Sequence, residues 1–264
     1  MSKLNDIKFS IITVSYNSEE TIENTLRSVC DQDYPHIEHI IIDGDSKDST
    51  LAILKGYVGK NIKFISEPDC GIYDAMNKGF ALASGDVIAY LNSDDFYVDS
   101  KVVSDVARKF LENNIQYVYG DLDLVSRGGE VIRRWNVGEG CELKLQGKQI
   151  PHPTFFVLKD AILCLESPFD SSYKISADLK QQLLIINKNG SRGAYIPRVL
   201  VNMTVGGAST GSLNGYILGW KESIKAYNEV FHSGGFAFTF KKVFSKISFN
   251  FLKFALSILF NKFK

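Results

Sequence analysis

The residues best suited to chemistry are Asn92, Asp94 and Asp95, which directly follow the apolar run 87–90. A buried carboxylate is costly unless something compensates it, so acids at the end of a strand favour a position facing a cleft. Carboxylate oxygens suit a hard divalent cation such as Mg²⁺, which could hold a substrate diphosphate. Aspartate is also common in solvated turns and at helix N-caps, so the segment alone leaves both interpretations open.

Two further polar sets follow apolar runs, Ser15-Tyr16-Asn17 after residues 9–14 and Asp43-Gly44-Asp45-Ser46 after residues 40–42. Tyr16 offers an aromatic face for a nucleotide base, and Asp43 offers an acceptor for a ring N–H. Each residue also has an ordinary interpretation, as a packing residue for Tyr16 and as a helix cap for Asp43. The carboxyl ends of parallel strands meet at one edge of a sheet, which favours a common cleft.

The elements that must position these residues alternate along the first hundred residues. Apolar runs predict strands at 9–14, 40–42, 62–65 and 87–91, and helical spacing predicts helices at 19–30, 49–57 and 72–83. Such alternation indicates βαβ units and a parallel sheet. After residue 114 we predict strands at 117–119, 122–125, 131–135 and 154–158, a loop at 136–150 and a helix at 178–189. The small residues 205–212 are typical of a lid or hinge.

Composition excludes several classes of function. The chain of 264 residues is 45% hydrophobic and 23% charged, as expected for a folded protein. Residues 1–240 hold 24 basic and 30 acidic side chains, which argues against nucleic acid binding. The cysteines and histidines form no zinc-like cluster, and four cysteines without a CxxC pair indicate reduced thiols. Without a signal peptide or a run of about 20 apolar residues, we expect a cytoplasmic protein.

The last segment differs from the rest of the chain. Residues 241–264 carry six lysines and no acid, and their phenylalanines, isoleucines and leucines fall near one side of a helix. A basic, aromatic amphipathic helix suits the surface of an anionic membrane. The alternative is a helix docked on the domain or used for an oligomer contact.

The ordered motifs at 10–17, 41–50, 69–79, 83–86 and 91–95 resemble the nucleotide-binding half of the family 2 glycosyltransferases. The resemblance implies an α/β protein of GT-A fold, with a Rossmann-like nucleotide-binding half, a mixed central sheet and C-terminal amphipathic helices. It divides the chain into a GT-A domain (1–212) and a membrane-associating helical segment (213–264). Within the domain, residues 1–114 would bind the nucleotide-sugar and residues 115–212 the acceptor.

The same resemblance assigns roles on the donor side. Tyr16 would stack on the base, Asp43 would accept from its ring N–H, and Asp94 would bind the Mn²⁺ or Mg²⁺ that bridges the diphosphate. Asn92 stands where the family motif often has an acid, and Asp95 would support the metal or cap the following helix. The remaining nucleotide-sugar residues would be Asp69, Asn77 and Lys78.

On the acceptor side, Asp178 matches the family's aspartate before a long helix and would be the catalytic base. Its alternative role is an acid stabilised by the positive end of the helix dipole. Asp170 is a weaker candidate for the base because Ser167-Pro168-Phe169-Asp170 is typical of a turn. His152 would lie in a loop near the acceptor and the pyrophosphate, or serve as a structural residue between two prolines.

The function that follows is a metal-dependent inverting transfer of a hexose, from UDP-glucose or UDP-galactose by preference, to a sugar on undecaprenyl diphosphate. The resemblance places that step in O-antigen or capsule assembly. The protein would be peripheral, held at the cytoplasmic face of the inner membrane through residues 241–264. The alternatives are a GDP-sugar-dependent transferase, a nucleotidyltransferase and a catalytically silent membrane-associated protein that binds nucleotide-sugars.

Overall fold

The computed structural model describes residues 7–59, 61–112, 114–140, 147, 149–190, 192–206 and 213–244. Its first half alternates strictly between strand and helix, which confirms the predicted βαβ units. The elements are β1 (Phe9–Ser15), α1 (Ile22–Cys30), β2 (Ile37–Asp43), α2 (Thr50–Lys55), β3 (Ile62–Ser66), α3 (Ile72–Leu82) and β4 (Val87–Tyr90). These four strands are parallel and lie in the order β3-β2-β1-β4.

The second half extends the same sheet with strands of both directions. Its elements are β5 (Asp95–Tyr97), α4 (Val102–Phe110), β6 (Tyr117–Val125), β7 (Val131–Trp135), β8 (Phe156–Leu158), α5 (Lys159–Leu163), α6 (Ala177–Asn189), β9 (Gly193–Thr204), α7 (Leu213–Phe231) and the helix α8 at 235–244. Strand β8 pairs antiparallel with both β4 and β6, and β6 pairs parallel with β9. Within the described residues, a mixed sheet of nine strands therefore runs through both halves of the chain.

Several elements differ from the predictions. Residues 117–125 form one strand rather than two, and Thr154 ends a short 3₁₀ turn before β8. Asp95 begins strand β5 and does not cap a helix, since the next helix starts at Val102. Strand β5 pairs with β9, so the stability of β5 comes from a partner about a hundred residues away that local patterns do not reveal.

Helix α3 packs the first half of the chain against the second. Its buried face packs on β1 and β2, and Gly79 is required there because a Cβ would overlap the Ile12 side chain. The largest hydrophobic cluster contains Met76 and Phe80 of α3 together with Leu183 of α6 and Ala226 of α7. Helix α7 thus packs on the same core as the domain, and the proposed functional division at residue 212 stays a prediction.

A buried carboxylate at the opposite end of the sheet from the acidic turn ties three segments together. Glu38 accepts hydrogen bonds from Ser10 Oγ (2.6 Å) and from the backbone N–H of Ser84 (2.7 Å), and it pairs with Lys8 Nζ at 3.0 Å. Burial opposes ionisation, but these donors outweigh it and lower the pKa of Glu38 to about 2. The ionised side chain therefore stabilises the folded state.

We expect Glu38→Gln to lower the free energy of unfolding at pH 7 by about 2 kcal/mol, a typical value for charge-assisted hydrogen bonds. The contribution is complete above the unfolded-state pKa of 4.5 and disappears as the pH falls toward about 2, because protonation then favours the unfolded chain. Urea unfolding at pH 7, 4 and 2.5 measures the difference. A difference that is the same at all three pH values would contradict this assignment.

Candidate functional site

The end of β2 is fixed by a ring of serines around Asp43. The strand register places Ser15 of β1 and Ser66 of β3 beside it. Its fully buried carboxylate accepts from Ser15 Oγ (3.0 Å), Ser66 Oγ (2.7 Å), and the N–H (2.9 Å) and Oγ (2.5 Å) of Ser46. These bonds fill the usual four acceptor positions of a carboxylate. Asp43 therefore ties three strand ends together, and its expected contact with a base requires a serine hydroxyl to turn away.

Tyr16 and Asp69 both lie close to the position that a side chain at Gly44 would occupy. A Cβ at Gly44 would come within 2.7 Å of Asp69 Oδ2 and 3.4 Å of Tyr16 Cδ2, so the absence of a side chain keeps these residues in place. Asp69 Oδ1 accepts from the N–H of Gly71 at 2.8 Å. The Tyr16 ring is 63% exposed, which leaves an aromatic face available for stacking. This arrangement is compatible with the expected base-binding roles.

The acidic turn after β4 is held from several sides. Ser93 Oγ lies 2.8 Å from Ser18 Oγ in the turn that follows Tyr16. Thr25 Oγ1 of α1 donates to the Asp95 carbonyl (2.7 Å), and Thr204 Oγ1 of β9 donates to the Asp94 carbonyl (2.6 Å). The turn is therefore fixed through its backbone carbonyls, and these bonds do not occupy the carboxylates of Asp94 and Asp95.

The acidic turn has oxygen atoms that nothing compensates. Asn92 Oδ1 and Asp95 Oδ1 are buried without a hydrogen-bond partner among the described residues, and Asp95 Oδ2 meets Asn92 Nδ2 at 3.3 Å. Burial raises the pKa of Asp94, and burial together with the neighbouring Asp94 charge raises the pKa of Asp95 well above its usual value. A cation bound here would favour both carboxylates in their charged form.

These residues fit a divalent cation that prefers oxygen ligands. Asp94, Asp95 and the Asn92 amide oxygen are the donors available, and Mg²⁺ sites commonly use one or two carboxylates plus substrate phosphates and water. In the described parts of the chain, no group of three or more histidine, cysteine, aspartate or glutamate side chains could hold a metal. A cation would therefore depend on the substrate for some of its ligands.

Asn77 and Lys78 on α3 are engaged by other parts of the protein. Asn77 exchanges two hydrogen bonds with the backbone of Phe169, with both distances 2.9 Å. Lys78 Nζ donates to the Pro68 carbonyl (3.0 Å) and pairs with Glu67 (3.0 Å) and Asp74 (3.3 Å). Asn77 thus joins α3 to the acceptor half, and the expected nucleotide contacts of both residues stay predictions.

Asp178 is the second residue of α6 and is half-buried. Its Oδ1 faces the Tyr73 hydroxyl at 3.4 Å, and its Oδ2 accepts from Gln149 Nε2 at 3.3 Å. The Tyr73 hydroxyl also donates to the Ile175 carbonyl at 2.6 Å. These long contacts orient the carboxylate without neutralising it, as a general base requires.

His152 connects the acidic turn with Asp178. Its ring stacks on Tyr90, the last residue of β4, with centroids 5.3 Å apart, and meets Phe169 edge to face at 5.6 Å. Both ring nitrogens are buried and have no hydrogen-bond partner in the described regions. Burial lowers the pKa of His152, and the charge of Asp178 opposes that shift. Phe169 in turn stacks on Tyr73 with centroids 5.5 Å apart, and Tyr73 faces Asp178, so packed rings link His152 to that carboxylate.

Side-chain contacts link the turn that holds Tyr16 with the region of Asp178. Ser18 meets Ser93, Tyr90 stacks on His152, and His152 meets Phe169, which stacks on Tyr73. Sequence reasoning identified the acidic turn, His152 and Asp178, but it assigned no role to Tyr73 or Gln149. Tyr73 lies within the 69–79 motif, four residues before Asn77, so helical spacing could have predicted that both lie on the same face of α3. Gln149 lies in the predicted loop and had no such signal. Residues 207–212 of the proposed lid and 245–264 of the tail lie outside the described residues.

The sequence profile described as glycosyl transferase family 2 matches residues 10–174, which is more than half of the chain and includes the acidic turn and His152. The chain belongs to glycosyltransferase family 2. An uncharacterized glycosyltransferase of Mycobacterium tuberculosis is 45% identical over 36% of this chain and 37% of that protein. The Escherichia coli UDP-Glc:alpha-D-GlcNAc-diphosphoundecaprenol beta-1,3-glucosyltransferase WfgD is 33% identical over 48% of this chain and 51% of its own length. The chain thus spans at most about half the length of these relatives.

Solved structures of similar fold confirm the GT-A fold that the sequence resemblance implied. Staphylococcus aureus TarS 1-349 in complex with UDP superposes with a TM-score of 0.67 at 20% identity, covering 85% of this chain and 67% of that one. A Pyrobaculum calidifontis mannosyltransferase in complex with GDP-Man and Mn²⁺ gives 0.64 at 14% identity, over 86% and 65% of the two chains. Of the helices described here, none is long and apolar enough to cross a membrane.

Proposed function

We propose that this protein is a metal-dependent inverting glycosyltransferase that moves a hexose from a nucleotide-diphosphate sugar to a lipid-linked sugar acceptor. The observation that supports it best is the unbroken series of contacts through the candidate site. Ser18 joins the Tyr16 turn to the acidic turn through Ser93, and Tyr90 joins that turn to His152. His152 meets Phe169, Phe169 stacks on Tyr73, and Tyr73 faces Asp178, so packed side chains link the proposed donor-binding groups to the proposed base.

Asp178 is proposed as the general base of the reaction. Its carboxylate removes the proton of the acceptor hydroxyl while that oxygen attacks the anomeric carbon from the side opposite the diphosphate. The bond between the anomeric carbon and the diphosphate oxygen breaks, and its electron pair leaves with the nucleoside diphosphate. A single displacement of this kind inverts the anomeric configuration. Tyr73 and Gln149 orient the carboxylate for the proton transfer.

Asp94 and Asp95 are proposed to hold Mn²⁺ or Mg²⁺, with the Asn92 amide oxygen beside them. When bound, such a cation neutralises the negative charge that develops on the leaving diphosphate. The two buried oxygens without partners support this proposal, because a cation would compensate both. The protein's own part is to fix the turn through Thr25 and Thr204, so that the carboxylates need little rearrangement.

The donor is proposed to be UDP-glucose or UDP-galactose, and a GDP-sugar is the alternative. One structural neighbour holds UDP and another holds GDP-Man with Mn²⁺. Thermal denaturation with UDP or GDP, each with and without Mn²⁺, tests the choice. A ligand at a hundredfold excess over its Kd stabilises by about 2.7 kcal/mol, so the correct nucleotide should raise the Tm when Mn²⁺ is present. No shift with either nucleotide would contradict the proposed donor site.

The acceptor is proposed to be a sugar on undecaprenyl diphosphate, in the assembly of a surface polysaccharide such as an O-antigen or capsule. The name of WfgD specifies an acceptor of that type. A second relative, 34% identical over 129 residues, is named a teichuronic acid biosynthesis glycosyltransferase. Such an acceptor requires the protein to work at the cytoplasmic face of the inner membrane.

Membrane association is proposed through the C-terminal helices. Phe236, Phe240 and Phe244 are 73%, 59% and 58% exposed, and their rings stack along one face of α8 with centroids 6.4 and 5.8 Å apart. Exposed apolar patches of this kind mark interaction sites. The lysines of residues 241–264, without any acid, favour an anionic lipid surface as the partner.

We expect the protein to sediment with vesicles that contain anionic phosphatidylglycerol and much less with neutral phosphatidylcholine vesicles. Replacing Phe236, Phe240 and Phe244 by alanine should reduce the bound fraction about tenfold, because each aromatic ring buries apolar surface in the interface. Val131→Ala with Ile132→Ala is the matched control, since these exposed apolar residues lie on β7. Equal binding of the triple variant and the unmodified protein would contradict the proposal.

A further inference from the structure

Helix α7 carries a buried acid that the proposed reaction does not use. Glu222 is 8% exposed and lies on the face of α7 that also buries Ala226 and Val230. A carboxylate on the apolar face of a helix is costly unless hydrogen bonds compensate it. Glu222 lies four residues before Ala226, so helical spacing places both on one face of the helix. We nevertheless assigned Glu222 no role from the sequence.

The partners of Glu222 are three successive backbone N–H groups just before α6. Its Oε1 accepts from Lys174 (2.9 Å), and its Oε2 accepts from Ile175 and Ser176 (2.9 Å each). The Ser176 hydroxyl, at the start of α6, donates to the Gly219 carbonyl of α7 at 3.3 Å. The segment that enters α6 is therefore bound to α7 through four hydrogen bonds.

The same segment is held from the opposite side by the donor half. The peptide groups flanking the Ile175 Cα are both engaged, since its N–H donates to Glu222 and its carbonyl accepts from Tyr73 of α3. Tyr73 is also the residue that faces Asp178 Oδ1. Glu222 and Tyr73 thus fix the backbone three residues before Asp178, which determines where that carboxylate lies.

We propose that Glu222 is a positioning residue for Asp178, and that it acts by holding residues 174–176 so that the carboxylate of the base meets the acceptor hydroxyl. This inference rests on the proposed role of Asp178 as the general base. Through Glu222, helix α7 would contribute to the acceptor site and would not only connect the domain to the membrane. Displacement of a catalytic group by about 1 Å can lower the rate by about 10²-fold.

Glu222→Gln tests the proposal, because a glutamine amide replaces one acceptor oxygen by an NH₂ group that faces a backbone N–H. We expect kcat to fall about 30- to 100-fold, while the KM for the nucleotide-sugar and the Kd for UDP stay unchanged. Glu229→Gln is the matched control on the same helix. Glu229 binds Lys180 (2.6 Å) and the Tyr173 hydroxyl (2.8 Å) and not residues 174–176, so its kcat should stay within about twofold.

A double-mutant cycle separates positioning from a general effect on the fold. In the Asp178→Asn background, Glu222→Gln should lower kcat by less than about twofold, because a residue that acts through the base has little further effect once the base is absent. Full additivity of the two changes would overturn the proposal. If Asp178→Asn alone retains the original kcat, the base assignment itself fails; if only Glu222→Gln retains it, the positioning role fails.

Glu222→Asp provides a second variant in case the glutamine variant unfolds. It keeps the charge but shortens the side chain by one methylene, so it should fold and still lower kcat relative to the Glu229→Gln control. A Glu222→Asp protein with unchanged kcat would overturn the proposal even if Glu222→Gln could not be purified.

Discussion

Replacing Asp178 by asparagine is expected to lower kcat for sugar transfer by about 10³-fold, within the range usual for the loss of a general base. The amide cannot accept the proton of the acceptor hydroxyl, although it can keep the contact with the Tyr73 hydroxyl. The KM for the nucleotide-sugar should change little, because the contacts of Asp178 are with Tyr73 and Gln149. Steady-state kinetics with a lipid-linked acceptor measure both quantities.

Asp170→Asn is the control for that prediction. Asp170 was the weaker candidate for the base, and its carboxylate pairs with Lys180 Nζ at 2.7 Å and accepts from the N–H of Ser172 at 2.9 Å. The Lys180 contact is the main reason that the pKa of Asp170 falls to about 2, which makes it a weak proton acceptor. We expect near-normal kcat from Asp170→Asn. If Asp170→Asn lowered kcat as much as Asp178→Asn, the choice of Asp178 over Asp170 as the general base would be contradicted.

Replacing Asp94 by asparagine has the second large expected effect. The affinity for UDP in the presence of Mn²⁺ should fall about 10²-fold, since the side chain proposed to bind the cation loses its charge. Isothermal titration of UDP with and without Mn²⁺ measures the change. Without metal, the two proteins should bind UDP equally, because Tyr16 and Asp43, the residues proposed to bind the base, remain in place.

The same substitution should stabilise the protein when no metal or nucleotide is bound. Burial raises the pKa of Asp94, and burial together with the Asp94 charge raises the pKa of Asp95, so a neutral amide at position 94 removes an unfavourable charge from the folded state. We therefore expect a higher Tm for Asp94→Asn than for the unmodified protein in the presence of a chelator. Asp99→Asn is the control, since Asp99 lies just beyond β5 and pairs with Arg198 at 2.7 Å. An Asp94→Asn protein with undiminished Mn²⁺-dependent binding would contradict the metal site.

The parts of the site that the sequence predicts are those that follow local rules. Tyr16, Asp43 and Asp94 each lie within three residues of the end of an apolar run, and parallel pairing then places those strand ends at one edge of the sheet. Knowledge of the strand order was not needed for that step. The family motif added Asp178 and His152, which local patterns alone could not have joined to the others.

The parts that the sequence does not predict depend on long-range register. The ring of serines around Asp43 exists because Ser15 and Ser66 lie opposite it in neighbouring strands. Asp95 was predicted as a possible helix cap, but it begins a strand because β9 pairs with it far along the chain. Glu222 of α7 accepts hydrogen bonds from the backbone of residues 174–176, which lie just before α6. Each of these contacts is decided by packing between distant segments, which no short sequence window contains.

The most direct test of the central claim is the transfer reaction itself. The purified protein is incubated with Mn²⁺, an α-linked UDP-hexose and an N-acetylglucosamine diphospholipid, and the product is analysed by mass spectrometry and by the anomeric coupling in its proton NMR spectrum. We predict transfer from UDP-glucose or UDP-galactose, with a β-linked product and no transfer by Asp94→Asn. Retention of the α configuration, or no transfer from any UDP-sugar or GDP-sugar to lipid-linked acceptors, would contradict the proposed function.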